Sequence, residues 1–229
     1  RLATPDMNVC TVEDPIEMVS PEFNQMQVHH QIDLGFAEGV RTLLRQDPDI
    51  IMVGEIRDLE TAQMAIQASL TGHLVLSTLH TNDAPSALQR LMDLGAPYYL
   101  LQGTIVGIMA QRLVRTLCPH CKSVNAAPDE TKWKALTHPW RVEVPAKIGK
   151  PVGCLECRKT GFLGRTGIYE MFRVTPTLRS MIHPSVEMAK FSEAALKEGM
   201  RPLRLSAATH VARGITTMEE VLGVLPPID

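Results

Sequence analysis

The sequence has few of the features that mark several protein classes. Aromatic residues make up only 4% of the 229 residues, and the basic residues are scattered rather than interleaved with aromatic ones. A nucleic-acid-binding surface is therefore not expected. No uninterrupted apolar run approaches the roughly 18 residues that a membrane-spanning helix needs, which argues against an integral membrane protein. The content of 45% hydrophobic and 21% charged residues excludes disordered and collagen-like chains.

The beginning of the sequence lacks an initiator methionine and any secretion-signal pattern. Arg1 leads directly into a short polar stretch, so we expect the first residue to be a cut in a longer chain.

Charge is divided unevenly along the chain. Residues 1–110 contain five arginines, no lysine and 14 acidic residues, a net charge of −9, whereas residues 111–229 contain 18 basic and 11 acidic residues, a net charge of +7. This asymmetry favours two domains. It can reflect two differently solvated surfaces. Alternatively, the basic half meets something anionic, such as the acidic half of a neighbouring copy, a nucleotide or a membrane surface.

The first half alternates short apolar runs with helical patterns. Strands alternating with helices predict a largely parallel sheet, whose ligands gather at the carboxyl ends of the strands. Asp58 is a candidate N-cap and Gly72 a C-terminal stop for the second helix. The predicted strands are residues 8–12, 50–53 and 74–76, and the predicted helices are residues 34–45, 59–70 and 83–94.

Acidic residues and histidines stand at the ends of these predicted strands. Glu13, Asp14 and Glu17 follow the first strand, Glu55 follows the second, and two histidines flank the third. Carboxylates in such places can hold a hydrated Mg²⁺ beside phosphates. The residues alone leave open that Glu55 caps the next helix, that the three acids form a solvated turn and that both histidines are structural.

Four of the five cysteines form two Cys-x-x-C pairs, Cys118/Cys121 and Cys154/Cys157, separated by 32 residues. Two such pairs supply the four thiolates of a closed, tetrahedral structural zinc site. Disulfides and a redox dithiol are the alternatives. Cys10, in the first strand, is expected to be a small buried hydrophobe.

The order of three motifs resembles that of a known family. Residues 11–17, 44–58 and 71–81 resemble the Asp box, Walker B element and His box of the secretion ATPase superfamily. The match is nearest to type II secretion and type IV pilus assembly ATPases, and it continues through residues 164–170 and 214–221.

The resemblance implies an α/β fold with a RecA-like P-loop ATPase core, an inserted zinc-binding tetracysteine subdomain and a helical C-terminal region. The implied domains are a partial core at residues 1–117, the tetracysteine subdomain at 118–160 and a strand and helical region at 161–229. Within the last region we expect short strands at residues 162–174 and helices at residues 185–198, 204–213 and 217–225.

The resemblance also assigns roles to individual residues. Glu17 orients or deprotonates the attacking water, Glu55 is the Walker B acid near Mg²⁺, and Asp14 supports the water shell of the metal. The histidines sense or position the γ-phosphate, and the arginines act at a subunit or domain interface, with surface ion pairing as the alternative. The implied catalytic residues are Glu17, Glu55, His73 and His80, and the implied cofactor-binding residues are Glu13, Asp14, Arg41, Arg45 and Arg57.

One departure from the family pattern concerns the phosphate-binding loop. No segment matches Gly-x-x-x-x-Gly-Lys-Ser/Thr, whose backbone amides cradle phosphates. The nearest candidate, residues 149–151, lacks the leading glycine spacing and the following hydroxyl. We therefore expect these residues to be the C-terminal part of a longer motor and to bind ATP poorly and hydrolyse little or none by themselves.

The implied protein is a cytoplasmic homohexamer at the inner membrane. It uses ATP with Mg²⁺ to drive pseudopilus or pilus assembly and associates peripherally with the membrane through platform proteins of the secretion or pilus machinery. The tetracysteine element favours an assembly or secretion motor over a retraction motor, which generally lacks it. The alternatives are a non-hydrolytic, zinc-stabilised interaction module and a DNA-uptake or conjugation motor of the same superfamily.

Overall fold

The computed structural model describes residues 3–226, so the expectation about Arg1 lies outside the described residues. The strands are β1 Val9–Glu13, β2 Asn24–Gln27, β3 Ile50–Val53, β4 Leu74–Ser77, β5 Gly107–Leu117, β6 Ser123–Ala126, β7 Ile148–Lys150 and β8 Phe162–Arg173. The helices are α1 Phe36–Leu43, α2 Leu59–Leu70, α3 Ala84–Asp93, α4 Tyr98–Thr104, α5 Glu130–Thr137, α6 Pro176–Ser180, α7 Met188–Lys197, α8 Leu203–Ala212 and α9 Met218–Val224. A short 3₁₀ turn, His30–Ile32, precedes α1.

The chain divides into two compact units. Over the described residues, the first unit comprises residues 3–81, 85–106 and 174–191, and the second comprises residues 82–84, 107–173 and 192–226. The division into residues 1–117, 118–160 and 161–229 follows motif boundaries in the sequence and stays a prediction.

The first unit contains a four-stranded sheet in the order β2-β1-β3-β4, and every pairing in it is parallel. The expected parallel sheet with flanking helices is therefore confirmed. Cys10 and Val12 on β1 are 0% exposed, as are Ile51 and Val53 on β3, so Cys10 is the buried small residue that the sequence predicted. Strands β1, β3 and β4 all finish at the same end of this sheet, and we call that end the carboxyl edge.

Helix boundaries in the first unit follow local signals. Helix α2 has the predicted bounds because the Asp58 carboxylate accepts a hydrogen bond from the Thr61 N–H at 2.7 Å. Beyond its other end, Gly72 has a φ of 102°, a conformation that glycine adopts at little cost. Helix α1 is shorter than predicted, because the residues after Leu43 turn towards β3.

The second unit is built on a long antiparallel ribbon of β5 and β8, which runs from the pair Gly107–Arg173 to the pair Leu117–Phe162. The prediction of short strands over residues 162–174 was wrong, because Phe162–Arg173 forms one twelve-residue strand. A small antiparallel pair, β6 with β7, lies in the same unit.

Helices α8 and α9 lie within one residue of the predicted segments, whereas α7 begins three residues later than predicted. The Thr217 hydroxyl accepts a hydrogen bond from the Glu220 N–H at 3.3 Å, which caps the start of α9. Within residues 3–226, none of the helices combines the length and apolarity that a membrane crossing requires.

Candidate functional site

The acidic residues after β1 are held by neighbouring polar groups. The Glu13 carboxylate accepts hydrogen bonds from the Thr11 hydroxyl at 2.6 Å and from the Gln25 side-chain amide of β2 at 3.0 Å. The Asp14 carboxylate lies 3.4 Å from Nε2 of His30, and the Asp14–Pro15 peptide bond is cis. Two carboxylates thus lie at the carboxyl edge, each with a defined partner.

Glu55 follows β3 and meets a different group on each of its oxygens. Arg57 donates a hydrogen bond to Oε1, and Nε2 of His80 lies 3.2 Å from Oε2. The Glu55 side chain is only 13% exposed. The hydrogen bond from Arg57 holds the pKa of Glu55 below its ordinary value, so this carboxylate stays charged at neutral pH.

Backbone hydrogen bonds join the ends of β1, β3 and β4 beneath this cluster. The Gly54 N–H donates to the Val12 carbonyl at 2.8 Å, and the Thr78 hydroxyl donates to the Gly54 carbonyl at 2.7 Å. The Ile56 N–H donates to the Thr78 carbonyl at 3.0 Å. Glycine at position 54 suits this close approach, since a Cβ there would lie 3.2 Å from both the Phe36 ring and the Val12 carbonyl oxygen.

Two predicted catalytic residues have no recorded contact with Glu55 among the described residues. Glu17 lies in an exposed turn beyond β1. His73 precedes β4 and so lies at the opposite edge of the sheet from His80, which follows β4. Its Nδ1 is 2.8 Å from the Ala68 carbonyl and 3.0 Å from the Thr71 hydroxyl, at the end of α2. The structure therefore brings His80 to Glu55, and the roles given to Glu17 and His73 stay predictions.

The predicted arginines are also separated from one another. Arg41 binds Glu38 within α1 and lies 3.5 Å from the Glu60 carboxylate of α2, which is the surface ion pairing considered as its alternative. Arg45 is exposed and follows α1, next to Gln46, whose carbonyl accepts a hydrogen bond from the Asn8 side chain just before β1. Arg45 thus lies at the amino edge of the sheet, and Arg57 alone among these arginines is seen at Glu55.

Sequence reasoning did not single out His30 or Thr78. His30 lies in the 3₁₀ turn beyond β2, and nothing near it in the sequence indicates a pairing with Asp14. Thr78 had a usable signal, because it is a hydroxyl residue directly after an apolar strand and two residues before His80.

The four paired cysteines meet in the second unit. Their Sγ atoms all lie within 4.8 Å of one another, with distances of 3.9 Å for Cys118–Cys154, 3.9 Å for Cys121–Cys157 and 3.8 Å for Cys154–Cys157. These separations are far longer than the roughly 2.05 Å of a disulfide. Four thiolates at about 2.3 Å from a tetrahedral zinc lie about 3.8 Å apart, so the cluster can hold a metal ion.

Backbone amides point at the sulfur atoms of this cluster. The Cys154 and Gly161 N–H groups donate to Sγ of Cys157 at 3.1 and 3.2 Å, and the Gly153 N–H donates to Sγ of Cys121 at 3.2 Å. The amide of Cys154 is the main cause that lowers the pKa of Cys157 to about 6. Burial is the main cause that raises the pKa of Cys121 to about 11. The N–H groups of Gly153, Cys154 and Gly161 are thus donors that stabilise thiolate charge on these sulfur atoms.

A comparison against protein families bears on the motif order of the chain. The family model described as "Type II/IV secretion system protein" matches residues 1–223. The chain belongs to this family. Its membership accounts for the motif order together with the parallel sheet, and it confirms the resemblance seen in the sequence.

Curated relatives match nearly the whole chain. The type IV pilus assembly ATPase TfpB of Acinetobacter baylyi is 55% identical over 226 residues, which are 99% of this chain and 38% of that protein. The type II secretion system protein HxcR of Pseudomonas aeruginosa is 47% identical over 224 residues, 98% of this chain and 44% of that protein. The chain therefore spans less than half the length of these relatives.

Solved structures share the fold. A crystal structure of the pilus retraction motor PilT with bound ADP superposes with a TM-score of 0.66 at 26% identity, over 96% of this chain and 53% of that chain. The ATPase DotB of Legionella pneumophila gives the same TM-score at 24% identity, over 97% of this chain and 53% of that chain.

Proposed function

We propose that this chain is part of a motor ATPase that hydrolyses ATP to power type II secretion, through pseudopilus assembly, or type IV pilus assembly. The observation that carries the proposal is the contact between Glu55 and His80 at the carboxyl edge, beside the acids that end β1. Phosphoryl transfer depends chiefly on positioning and electrostatics, and a carboxylate kept ionised by Arg57 suits that task.

The residues of the edge then have distinct roles. Glu55 and Asp14, with Glu13 beside them, bind the water shell of Mg²⁺, which neutralises phosphate charge when bound. Glu17 orients the attacking water and accepts its proton. His80 lies on the second oxygen of Glu55 and positions the terminal phosphate, while Arg57 contributes positive charge at the same place. His73 acts as a second sensor of the phosphate, a role taken from the family resemblance.

Arg41 and Arg45 serve a neighbouring copy in this proposal. Both lie away from the Glu55 cluster of their own chain, and a homohexamer would bring them to the nucleotide of the next subunit. The motor acts in the cytoplasm and associates with the inner membrane through platform proteins of the secretion or pilus machinery. These 229 residues contain no phosphate-binding loop, so the isolated chain is a poor ATPase. Activity is therefore tested on the full-length protein.

We propose further that the tetracysteine cluster binds one structural Zn²⁺. Three of the sulfur separations, at 3.8–3.9 Å, match the edge of a tetrahedral thiolate site, and four protein ligands leave no open position for catalysis. Elemental analysis of the purified protein is expected to give about one zinc per chain. A metal content far below that would contradict the assignment.

The cluster and the relatives together favour assembly or secretion over retraction. The curated relatives at 55% and 47% identity are named as a pilus assembly ATPase and a type II secretion protein. The retraction motor of known structure is only 26% identical.

Replacement of Glu17 tests the proposed hydrolysis. In the full-length protein, Glu17→Gln should abolish ATP turnover while binding of ATP, measured by isothermal titration, is retained, because the amide can no longer accept a proton. Glu22→Gln, an exposed acid five residues further on, is the matched control and should keep full turnover. Unchanged turnover in Glu17→Gln would remove this residue from the catalytic role.

A further inference from the structure

Thr78 binds both of the peptide groups that flank Glu55. Its hydroxyl donates a hydrogen bond to the Gly54 carbonyl at 2.7 Å, and its own carbonyl accepts one from the Ile56 N–H at 3.0 Å. The Gly54 carbonyl belongs to the peptide bond before Glu55, and the Ile56 N–H belongs to the peptide bond after it. One residue is therefore hydrogen-bonded on both sides of the residue that carries the carboxylate.

The hydroxyl contact lies just beyond the regular part of the sheet. The register of β3 with β4 ends at the pair Val53–Ser77, one residue before Gly54 and Thr78. Past this pair, the Thr78 hydroxyl supplies a side-chain hydrogen bond in addition to the main-chain pairing of the strands. A substitution can remove this bond without deleting any main-chain donor or acceptor.

The two contacts of Thr78 restrict the backbone of Glu55. Each peptide group is planar, so only the φ and ψ angles of Glu55 lie between the two bound planes. These angles set the direction of the Cα–Cβ bond, and the carboxylate at its end is only 13% exposed. The place of the carboxylate at the carboxyl edge therefore depends on Thr78.

His80, the partner of this carboxylate, is joined to the same residue. It follows Thr78 by two positions, and consecutive Cα atoms are fixed at about 3.8 Å. Its side chain is 88% exposed, so surrounding atoms do little to hold it, and its Nε2 lies 3.2 Å from Oε2 of Glu55. Both sides of the contact are thus tied to Thr78, and a misplacement of about 1 Å is sufficient to disturb catalysis.

We propose that Thr78 is a positioning residue whose hydroxyl holds Glu55 in place against His80. The inference rests on the proposed function, since it concerns two site residues of that function. All the residues that carry it belong to the first unit. The juxtaposition that carries it is a hydroxyl bonded to the peptide group before Glu55, two residues from the histidine that meets the Glu55 carboxylate.

Thr78→Val in the full-length protein tests the proposal. Valine keeps the β-branched shape and the main-chain bond to Ile56, and it lacks only the hydroxyl. The variant should lower kcat for ATP hydrolysis about tenfold to a hundredfold, the scale of a misplaced catalytic group, with a KM for ATP within about twofold of the wild-type value. Thr78→Ser keeps the hydroxyl and should retain kcat within about threefold.

Thr104→Val is the matched control. Thr104 also lies in the first unit, and its hydroxyl also donates to a backbone carbonyl, that of Leu100 in α4, at 2.8 Å. The substitution removes a hydrogen bond of the same kind, whose acceptor lies in the same helix. It should leave kcat unchanged within about twofold.

Hydrogen exchange measured by mass spectrometry separates positioning from general destabilisation. In Thr78→Val, the amides of residues 54–56 should exchange about tenfold faster than in the wild type, whereas peptides from α2 should exchange at the wild-type rate. Thr78→Ser should restore slow exchange at residues 54–56, and Thr104→Val should leave it unchanged.

A double-mutant cycle with His80→Ala tests whether Thr78 acts on the contact between Glu55 and His80. If it does, the loss of kcat in the double variant should be at least about threefold smaller than the product of the two single losses, because coupled residues are not additive. Thr78→Ala removes the same hydroxyl and takes the place of Thr78→Val if that variant is too unstable to purify.

The possible outcomes are distinct. An unchanged kcat in Thr78→Val, an equal loss in Thr78→Ser or in Thr104→Val, or multiplicative losses in the cycle would each overturn the inference and leave the proposed function intact. Faster exchange in α2 as well as at residues 54–56 would show general destabilisation and would also overturn it. An unchanged kcat in His80→Ala alone would instead remove His80 from the proposed function, and the inference would fall with it.

Discussion

Arg57 donates a hydrogen bond to one oxygen of Glu55 while His80 contacts the other, so the carboxylate at the end of β3 is bound on both sides. The two partners differ in their effect on charge. The guanidinium of Arg57 is the first cause of the lowered pKa of Glu55, and a guanidinium stays positive throughout the pH range of an activity assay.

Arg57→Gln should therefore change the pH dependence of ATP turnover by the full-length protein. Without the guanidinium, the pKa of Glu55 rises towards its ordinary value, so protonation begins at a higher pH. If turnover requires ionised Glu55, the acid limb of the kcat/KM profile should move to higher pH in the variant, and the wild type should keep activity to lower pH. Steady-state rates between about pH 4.5 and 8 measure the shift.

The control is Arg179→Gln, which removes an exposed arginine of the same unit on α6. Its acid limb should coincide with that of the wild type. Coincident acid limbs for all three proteins would show that Arg57 does not set the charge of Glu55 in the working enzyme.

Two substitutions within the Cys154/Cys157 pair test the tetracysteine cluster, and they should have opposite outcomes. Cys157→Ser removes a buried sulfur of the proposed zinc site, which also accepts hydrogen bonds from two backbone N–H groups, so it should lower the zinc content and destabilise the second unit by several kcal/mol. Leu155→Ser changes a side chain that is 85% exposed between the same two cysteines, and it should leave both properties unchanged. Zinc content and the melting temperature are the measurements, and a normal zinc content in Cys157→Ser would rule out Cys157 as a ligand.

Local signals explain how much of this structure the sequence could predict. Asp58 and Gly72 set the two ends of α2 through interactions within a few residues. The spacing of the Cys-x-x-C pairs can be read from the sequence itself. The carboxyl-edge acids could be placed together because parallel strands end at one side of a sheet.

The features that were missed depend on distant pairing. Strand β5 combines exposed apolar side chains with charged ones, so no local pattern predicts an eleven-residue strand. Its partner β8 begins 45 residues after β5 ends. Glu170 of β8 is a single acidic residue in its motif, and it accepts hydrogen bonds from the N–H groups of Ala84 and Leu203, which lie 86 and 33 residues away. The sequence predicts a shared role for His73 and His80 because both flank one strand, although a four-residue strand separates its two ends by about 13 Å.

Gly149 provides a test of packing at the segment that came nearest to a phosphate loop in the sequence. It lies in β7, where a Cβ would stand 2.5 Å from Cδ1 of Leu117 and 3.0 Å from the Cα of Gly214. Gly149→Ala should therefore destabilise the protein by about 1–3 kcal/mol, the usual cost of overpacking. Gly103→Ala, in α4 with open space around the position, should be neutral or more stable by up to about 1 kcal/mol.

Thermal unfolding of the two glycine variants decides this point. A Gly149→Ala protein as stable as Gly103→Ala would mean that β7 moves freely away from its neighbours. Loss of ATP binding without loss of stability in Gly149→Ala would instead return residues 149–151 to consideration as a phosphate-binding segment.

Arg45 allows a test of whether one copy completes the site of the next. It is exposed at the amino edge of the sheet, away from Glu55 of its own chain, so a role on phosphate requires a neighbouring subunit. Arg45→Ala should change stability by less than about 0.5 kcal/mol, as expected for a surface residue, yet abolish turnover.

Mixing two inactive proteins then distinguishes the arrangements. In a closed ring assembled from equal amounts of Arg45→Ala and Glu17→Gln subunits, about a quarter of the subunit junctions pair an intact Glu17 with an intact Arg45, so about a quarter of wild-type turnover should return. If the mixture stays inactive although mixed rings form by native mass spectrometry, Arg45 does not act across a junction. If Arg45→Ala is fully active alone, the charge of Arg45 has no role in turnover and contributes only to the protein surface.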